Sequence, residues 1–211
     1  MRTISVAGTG KVSAPPDMAS IQTGVITQAE TARDALAANN EAMAKILAVL
    51  KQHKIADKDV QTASFQVHPV YRHDRQGQTE PQVVGYRVQN QVRVDVRNLP
   101  ELGKVLDALV EAGSNQVSGI TFGVDDPTGS LNQARGRAMA DAKSRAQVYA
   151  QAAGVTVGRV QSISEQPPQI PRPMPMQMAF ARADAASVPV ATGEQEFAVT
   201  VYVEYKLEDA E

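Results

Sequence analysis

The sequence ITFGV at 120–124 opens the stretch of the chain that decides the fold. An alanine-rich pattern follows it as far as Gly154, and VGRVQSIS at 157–164 closes the stretch. Its small apolar side chains recur at helical spacing: Leu131, Ala134, Ala138, Ala142, Ala146 and Ala153. The stretch therefore predicts a strand, a helix and a strand, with a helix face small enough to lie close against a sheet.

The first half of the chain carries the same order. IQTGV at 21–25 precedes ITFGV by 99 residues, and VQTAS at 60–64 precedes VQSIS at 160–164 by 100 residues. A repeat at a nearly fixed offset predicts a duplicated strand–helix–strand unit. The alternative is chance, since short β-rich strings recur easily.

The clearest strand pattern runs from Tyr86 to Arg97. Apolar side chains occupy one face, with Asn90 as the polar exception: Tyr86, Val88, Val92, Val94 and Val96. Polar side chains occupy the other face: Arg87, Gln89, Gln91, Arg93, Asp95 and Arg97. Such alternation is typical of an antiparallel strand that is packed on one side and solvated on the other.

Taken along the chain, the patterns predict the order β-β-α-β-β-α-β-α-β-β. This is an α+β fold, with three helices on one face of a single, largely antiparallel sheet. We expect one domain over residues 1–211, with residues 166–195 as an extended loop within it.

Several local patterns make sharper predictions. Gly8 and Gly10 interrupt the first strand, which indicates a bulge or a close backbone crossing. Residues 15–17, Pro-Pro-Asp, are typical of a turn. Asn98, followed three residues later by Glu101, has the spacing of a capping box at a helix N-terminus.

Two expectations concern burial. The helical pattern at 29–52 predicts an apolar stripe that excludes Asn39: Leu36, Met43, Leu47 and Leu50. In the next strand, from Val60 to about Tyr71, we expect Phe65 and Val67 to point inward.

Residues 166–195 break the pattern, since they hold six of the twelve prolines and three of the seven methionines. No metal site is predicted, but Met174, Met176 and Met178 are the candidate ligands, because alternating thioethers could bind Cu(I). The alternative is an adaptable apolar loop that docks on a neighbouring subunit or stays mobile.

The titratable residues offer no better site. His68, His73 and Asp74 could ligate a metal, but their spacing straddles a strand end and a loop, and His53 is remote in sequence. Helix capping explains Asp125 and Asp126 better than paired acids do. Four basic residues are interpreted as a solvated helix face: Arg135, Arg137, Lys143 and Arg145. We therefore predict no catalytic residues, no cofactor and no enzyme activity.

Composition restricts the partners. The formal charge of −2 gives no electrostatic basis for binding nucleic acid. No apolar run reaches the roughly 18 residues of a membrane span. The chain has no cysteine, which excludes disulfides and suits either the cytosol or an oxidising compartment.

Five blocks of sequence together resemble the SIMPL-domain family over essentially the whole chain. They are ISVAGTGKVSAPPDMASIQTGV, ALAANNEAMAKILAVLKQHKIADKDVQT, YRVQNQVRVDV, ITFGVDDP and ARGRAMADAKSRAQVYAQAAGVTVGRVQSISE. The bacterial members of that family include periplasmic and outer-membrane-associated immunogenic proteins.

The resemblance implies a cell-envelope protein without an assigned reaction or catalytic residues. Some members form rings with a central opening, and some are linked to tolerance of oxidative stress. We therefore expect a non-enzymatic homo-oligomer with a scaffolding or stress-protective role, or else a binder of a small ligand or of Cu(I). The resemblance implies a periplasmic location. Since Met1 is followed directly by a strand pattern and not by a signal peptide, that location requires a leader that has been trimmed. A cytoplasmic location is the alternative.

Overall fold

The computed structural model describes residues 2–72, 82–167, 172–174 and 192–209. Its elements follow the predicted order with one addition, the short strand β7 inside the expected loop. In chain order they are β1 Thr3–Ala14, β2 Met18–Ala29, α1 Ala32–Gln52, β3 Val60–Arg72, β4 Gln82–Val96, α2 Leu102–Glu111, β5 Gln116–Gly123, α3 Thr128–Ala152, β6 Val155–Glu165, β7 Arg172–Met174 and β8 Glu194–Asp209.

The α+β class and the antiparallel pairing are confirmed, but the single sheet is wrong. Sheet A has the order β1-β8-β6, and β7 also pairs with β8. Sheet B has the order β3-β4-β2-β5. All of these described strand pairs are antiparallel.

The change of sheet occurs at residues 15–17, where a turn was predicted. No turn forms there, because two successive prolines hold the backbone extended and keep β2 from folding back on β1. The N–H of Asp17 instead donates to the carbonyl of Gly123 at 3.0 Å, next to the pairing of β2 with β5. A local turn signal thus marks the passage between sheets.

The described chain divides into two compact units. The split unit contains residues 2–16, 124–167, 172–174 and 192–209, and the continuous unit contains residues 17–72 and 82–123. In the first proposed repeat both strands lie in sheet B, whereas in the second β5 lies in sheet B and β6 in sheet A. The duplication and the single domain over 1–211 stay predictions.

In the split unit, α3 lies directly on the backbone of β1. Its buried stripe is alanine, as predicted, although Ala150 rather than Ala153 completes it: Ala134, Ala138, Ala142, Ala146 and Ala150. A Cβ atom on Gly8 would overlap the carbonyl oxygen of Ala138, and one on Gly10 would overlap that of Ala134. The predicted close backbone crossing is confirmed.

The continuous unit is filled by larger side chains, and its core contains one residue that the pattern misplaced. Met43, Ile46 and Leu50 of α1 are buried, but so is Asn39, which was expected off the apolar stripe. The Asn39 amide nitrogen donates to the carbonyl of Val25 at 3.0 Å and to that of Val88 at 3.4 Å. These two bonds attach α1 to the paired strands β2 and β4, which explains a polar residue in the core.

Helix ends were predicted correctly only in part. Gly113 and Gly154 follow α2 and α3 with φ of 101° and 68°, as the predicted terminal glycines require. The capping box is wrong, because Asn98 makes no side-chain cap bond and a short 3₁₀ turn, Leu99–Glu101, leads into α2 instead. The Glu101 carboxylate binds Lys104 at 2.9 Å.

The contact between α3 and β1 gives a test with a built-in control. We expect Gly8→Ala and Gly10→Ala each to lower the free energy of unfolding by about 1–3 kcal/mol, because the helix must move away from the strand. Gly136→Ala lies on the open face of α3, with no atom within 4 Å of the added methyl. It should raise stability by about 0.5–1 kcal/mol. Urea unfolding measures all three, and a neutral Gly8→Ala would contradict the contact.

Candidate interaction surface

β3 is the longer of the two edge strands of sheet B in the continuous unit. β3 is 13 residues long and, in the part of the chain that the structure describes, pairs with β4 alone. From Val60 to Tyr71 it carries no Asp, Glu, Lys or Arg. A long edge strand without charges is a template for pairing with another strand.

Two apolar side chains of β3 lie beside α1 without being covered by it. Phe65 is paired with Asn90 and Val67 with Val88, so both point to the helix side of sheet B. Val88 is fully buried, but Phe65 is 51% exposed and Val67 is 42% exposed. The prediction that these two side chains point inward was right about the face and wrong about burial.

A groove runs between α1 and β3 on the same side of the sheet. Its volume is about 440 Å³, and Met43, Leu47 and Val60 are among its lining residues. α1 packs mainly on β2 and β4, the two central strands of sheet B. The helix therefore leaves the outer strand uncovered, and the exposed apolar side chains follow from that placement.

The edge of β1 in the split unit is not open in the way the β3 edge is, because side chains of α3 bind its backbone. The Thr9 N–H donates to the carboxylate of Asp141 at 2.8 Å, and the Arg137 guanidinium donates to the carbonyl of Lys11. The hydrogen bond from the Thr9 N–H, and to a smaller extent the one from Arg145, holds the pKa of Asp141 below its ordinary value. This strand edge is thus closed by charged side chains of its own chain.

The opposite edge of sheet A is formed by β6. It is neither as free of charge as the β3 edge nor closed by helix side chains as the β1 edge is. Ile163 is paired with Val203 on the helix side of the sheet and is 57% exposed. At the end of the strand, Glu165 accepts hydrogen bonds from Arg135 at 2.9 and 3.0 Å. β6 therefore presents apolar surface, but it also carries charges, Arg159 and Glu165.

A concave site of about 410 Å³ lies where α1 ends and β4 meets the 3₁₀ turn. Arg97 donates to both carboxylate oxygens of the buried Asp59 at 2.9 to 3.2 Å. These bonds hold the pKa of Asp59 below its ordinary value of 3.8. Lys54 also lines the site; it follows the C-cap residue His53 of α1 and has a φ of 60°, in the left-handed region. The Asp59 carboxylate is ionised and bound by Arg97, so we assign it a role in stabilising the fold.

The residues predicted as candidate sites are not brought together. His53 ends α1, and the exposed His68 of β3 lies 3.2 Å from the side-chain oxygen of Gln66. Among the described residues no group of three or more His, Asp or Glu side chains is placed to hold a metal. Met174 ends β7, whereas His73, Asp74, Met176 and Met178 lie outside the described residues. Copper binding stays a hypothesis.

The charged residues around α3 have the structural positions that were expected. The Asp126 carboxylate accepts a hydrogen bond from the Thr128 N–H, at the first residue of α3, at 3.0 Å; the N-cap residue itself is Pro127, which makes no side-chain cap bond. Bonds from Thr128 hold the pKa of Asp126 below its ordinary value. Lys143 and Arg145 are exposed, and Arg145 binds Asp141 at 2.9 Å. The solvated helix face is confirmed for these residues.

Comparison with known proteins places the chain in a family. Residues 4–205 match the model of SIMPL, described as a protein of unknown function (DUF541). The chain belongs to the SIMPL family. This SIMPL chain is 41% identical over 211 residues to a 26 kDa periplasmic immunogenic protein of Brucella melitensis, covering 97% of the chain and 84% of the relative.

More distant SIMPL relatives carry another name. The protein named YggE in Edwardsiella ictaluri is 32% identical over 160 residues, or 76% of this chain and 66% of the relative. YggE of Escherichia coli is 31% identical over 185 residues, or 88% of this chain and 73% of the relative. None of the helices in the described part of this SIMPL chain combines the length and hydropathy of a membrane span.

The pairing of Asp59 with Arg97 predicts a dependence on pH. Because the folded-state pKa of Asp59 is lowered, its stabilisation is complete above the ordinary value of 3.8 and is lost as the pH falls through the folded pKa. We expect Asp59→Asn to cost about 1–2 kcal/mol at neutral pH and progressively less toward about pH 2.

Urea unfolding of both proteins across that pH range measures the difference. Asp57→Asn is the matched control, since Asp57 is exposed and lies 3.6 Å from Lys51. A stability difference for Asp59→Asn that does not change with pH would show that the charge of Asp59 is not what stabilises the fold.

Proposed function

We propose that the protein is a non-enzymatic, oligomeric protein of the cell envelope, with a scaffolding or stress-protective role. The observation that carries this proposal is the exposure of apolar side chains on the helix side of edge strands, in particular Phe65 and Val67. Contiguous exposed apolar surface beside an unpaired strand edge is typical of association sites.

Each unit offers at least one such surface. The continuous unit presents Phe65 and Val67 on β3, and the split unit presents Val160 and Ile163 on β6. A chain with two different association surfaces can bind two neighbours at once. Such contacts extend an assembly beyond a dimer and close it into a ring when the rotation between neighbours permits. A scaffolding role needs this property.

The periplasmic location rests on the relatives. The Brucella melitensis and Brucella abortus proteins that are 41% identical to this chain are both named periplasmic. The absence of cysteine from this chain suits an oxidising compartment, where free thiols would be oxidised. The names of the relatives support the envelope, and the absence of cysteine is compatible with it.

Self-association is the first consequence to measure. Light scattering coupled to size-exclusion chromatography should give a mass several times the 22.6 kDa of one chain. The mass should fall on dilution, because the contacts are between separate chains. A mass of one chain at tens of micromolar would remove the basis for the proposed role.

A further inference from the structure

We propose that the edge of β3 pairs with the β3 edge of a second copy of this chain. The two strands run antiparallel about a two-fold axis at Gln66, so that two copies of sheet B join into one continuous sheet. This inference rests on the proposed self-association and adds the surface, the symmetry and the register.

The lack of charge on β3 favours a second copy as the occupant. Around a two-fold axis a strand meets itself in reverse, so a charge near the axis lies close to its own like charge. β3 carries no formal charge from Val60 to Tyr71, whereas β6 carries Arg159 and Glu165. In addition, α3 already occupies the β1 edge through Asp141 and Arg137. β5, the other edge of sheet B, is uncharged as well, but it has only eight residues and its register with β2 shifts at Ser20/Gln22, near Gly119 with its φ of 65°. Among these four edges, β3 is the longest uncharged one and therefore the one that suits self-pairing.

The position of Pro69 shows which backbone groups face away from β4. Proline has no N–H, and within a paired strand it belongs where the nitrogen points outward. The register between β3 and β4 is regular from Ser64 to Val70, so backbone direction alternates over this segment. Phe65 and Val67, which share the phase of Pro69, therefore direct their N–H and C=O groups outward.

These outward groups fix the register. With the axis at Gln66, Phe65 of one copy lies opposite Val67 of the other, and the two residues exchange their backbone hydrogen bonds. The same pairing brings together the exposed side chains of Phe65 and Val67, which lie on the helix side. One contact thus satisfies the outward backbone groups of Phe65 and Val67 and covers their exposed side chains. The pair of Pro69 with Ala63 further along lacks one bond, because proline has no N–H.

The absence of cysteine makes this register testable by cross-linking. In a strand pair centred on Gln66, the two Gln66 residues form a non-hydrogen-bonded pair with Cα atoms about 4.5 Å apart. That separation is within the range of a disulfide, about 4.4–6.8 Å. Gln66→Cys should therefore give a covalent dimer under mild oxidation. Gln61→Cys is the matched control, exposed on the same strand but about 30 Å from its counterpart.

We expect at least about ten times more disulfide dimer with Gln66→Cys than with Gln61→Cys. Adding Phe65→Lys and Val67→Lys to Gln66→Cys should reduce the dimer to the level of that control. The lysine at position 65 of one copy would lie opposite the lysine at position 67 of the other, and the two like charges would repel each other. Circular dichroism and the unfolding midpoint show whether each variant is folded.

The outcomes separate the two proposals. A mass of several chains combined with equal, slow cross-linking of the two cysteine variants would overturn the β3 pairing and leave the oligomer in place. A mass of one chain for every variant would overturn both proposals.

Discussion

The close contact of α3 with β1 is the interaction on which the split unit depends. Gly8 and Gly10 leave no side chain between the strand and the helix, and the alanine stripe of α3 occupies that space. The approach brings Asp141 and Arg137 within reach of the outer backbone groups of β1. The packing of the smallest residues therefore also decides that this edge of sheet A is closed to other strands.

The continuous unit is built on the opposite principle. Its helices bury large side chains such as Ile46, Leu50 and Leu109. These side chains fill the space between the helices and sheet B, whereas in the split unit the helix backbone lies directly on the strand. α1 is fixed over β2 and β4, in part by the two hydrogen bonds of Asn39. A helix held there cannot also cover β3. The open edge of β3, with its groove and exposed Phe65, is thus a consequence of where the core lies.

Much of the fold could be predicted because it is written in local patterns. The alternating pattern of β4 predicted its buried row of valines, and the glycines after α2 and α3 predicted where those helices end. The partner of each strand is not local information, and the division into two sheets was missed for that reason. The burial of Asn39 likewise depends on groups distant in the sequence, the carbonyls of Val25 and Val88.

The candidate surface was harder to predict than the fold. An alternating strand pattern shows which face a side chain occupies, so Phe65 and Val67 could be assigned to the helix side. It does not show whether a helix reaches that part of the sheet. The one signal in the sequence was the absence of charge over Val60 to Tyr71, which is unusual for a strand that turns out to lie at an edge.

Hydrogen exchange at single amides tests most directly whether the open edge of β3 is where copies of the chain associate. The amides of Phe65 and Val67 should exchange rapidly in dilute protein and become protected as the concentration rises, because among the described residues β3 pairs with β4 alone and a second chain would bind its outer edge. The Thr9 amide should be protected equally at both concentrations, since Asp141 of the same chain binds it. Rapid exchange of Phe65 and Val67 in the assembled protein would contradict pairing through β3.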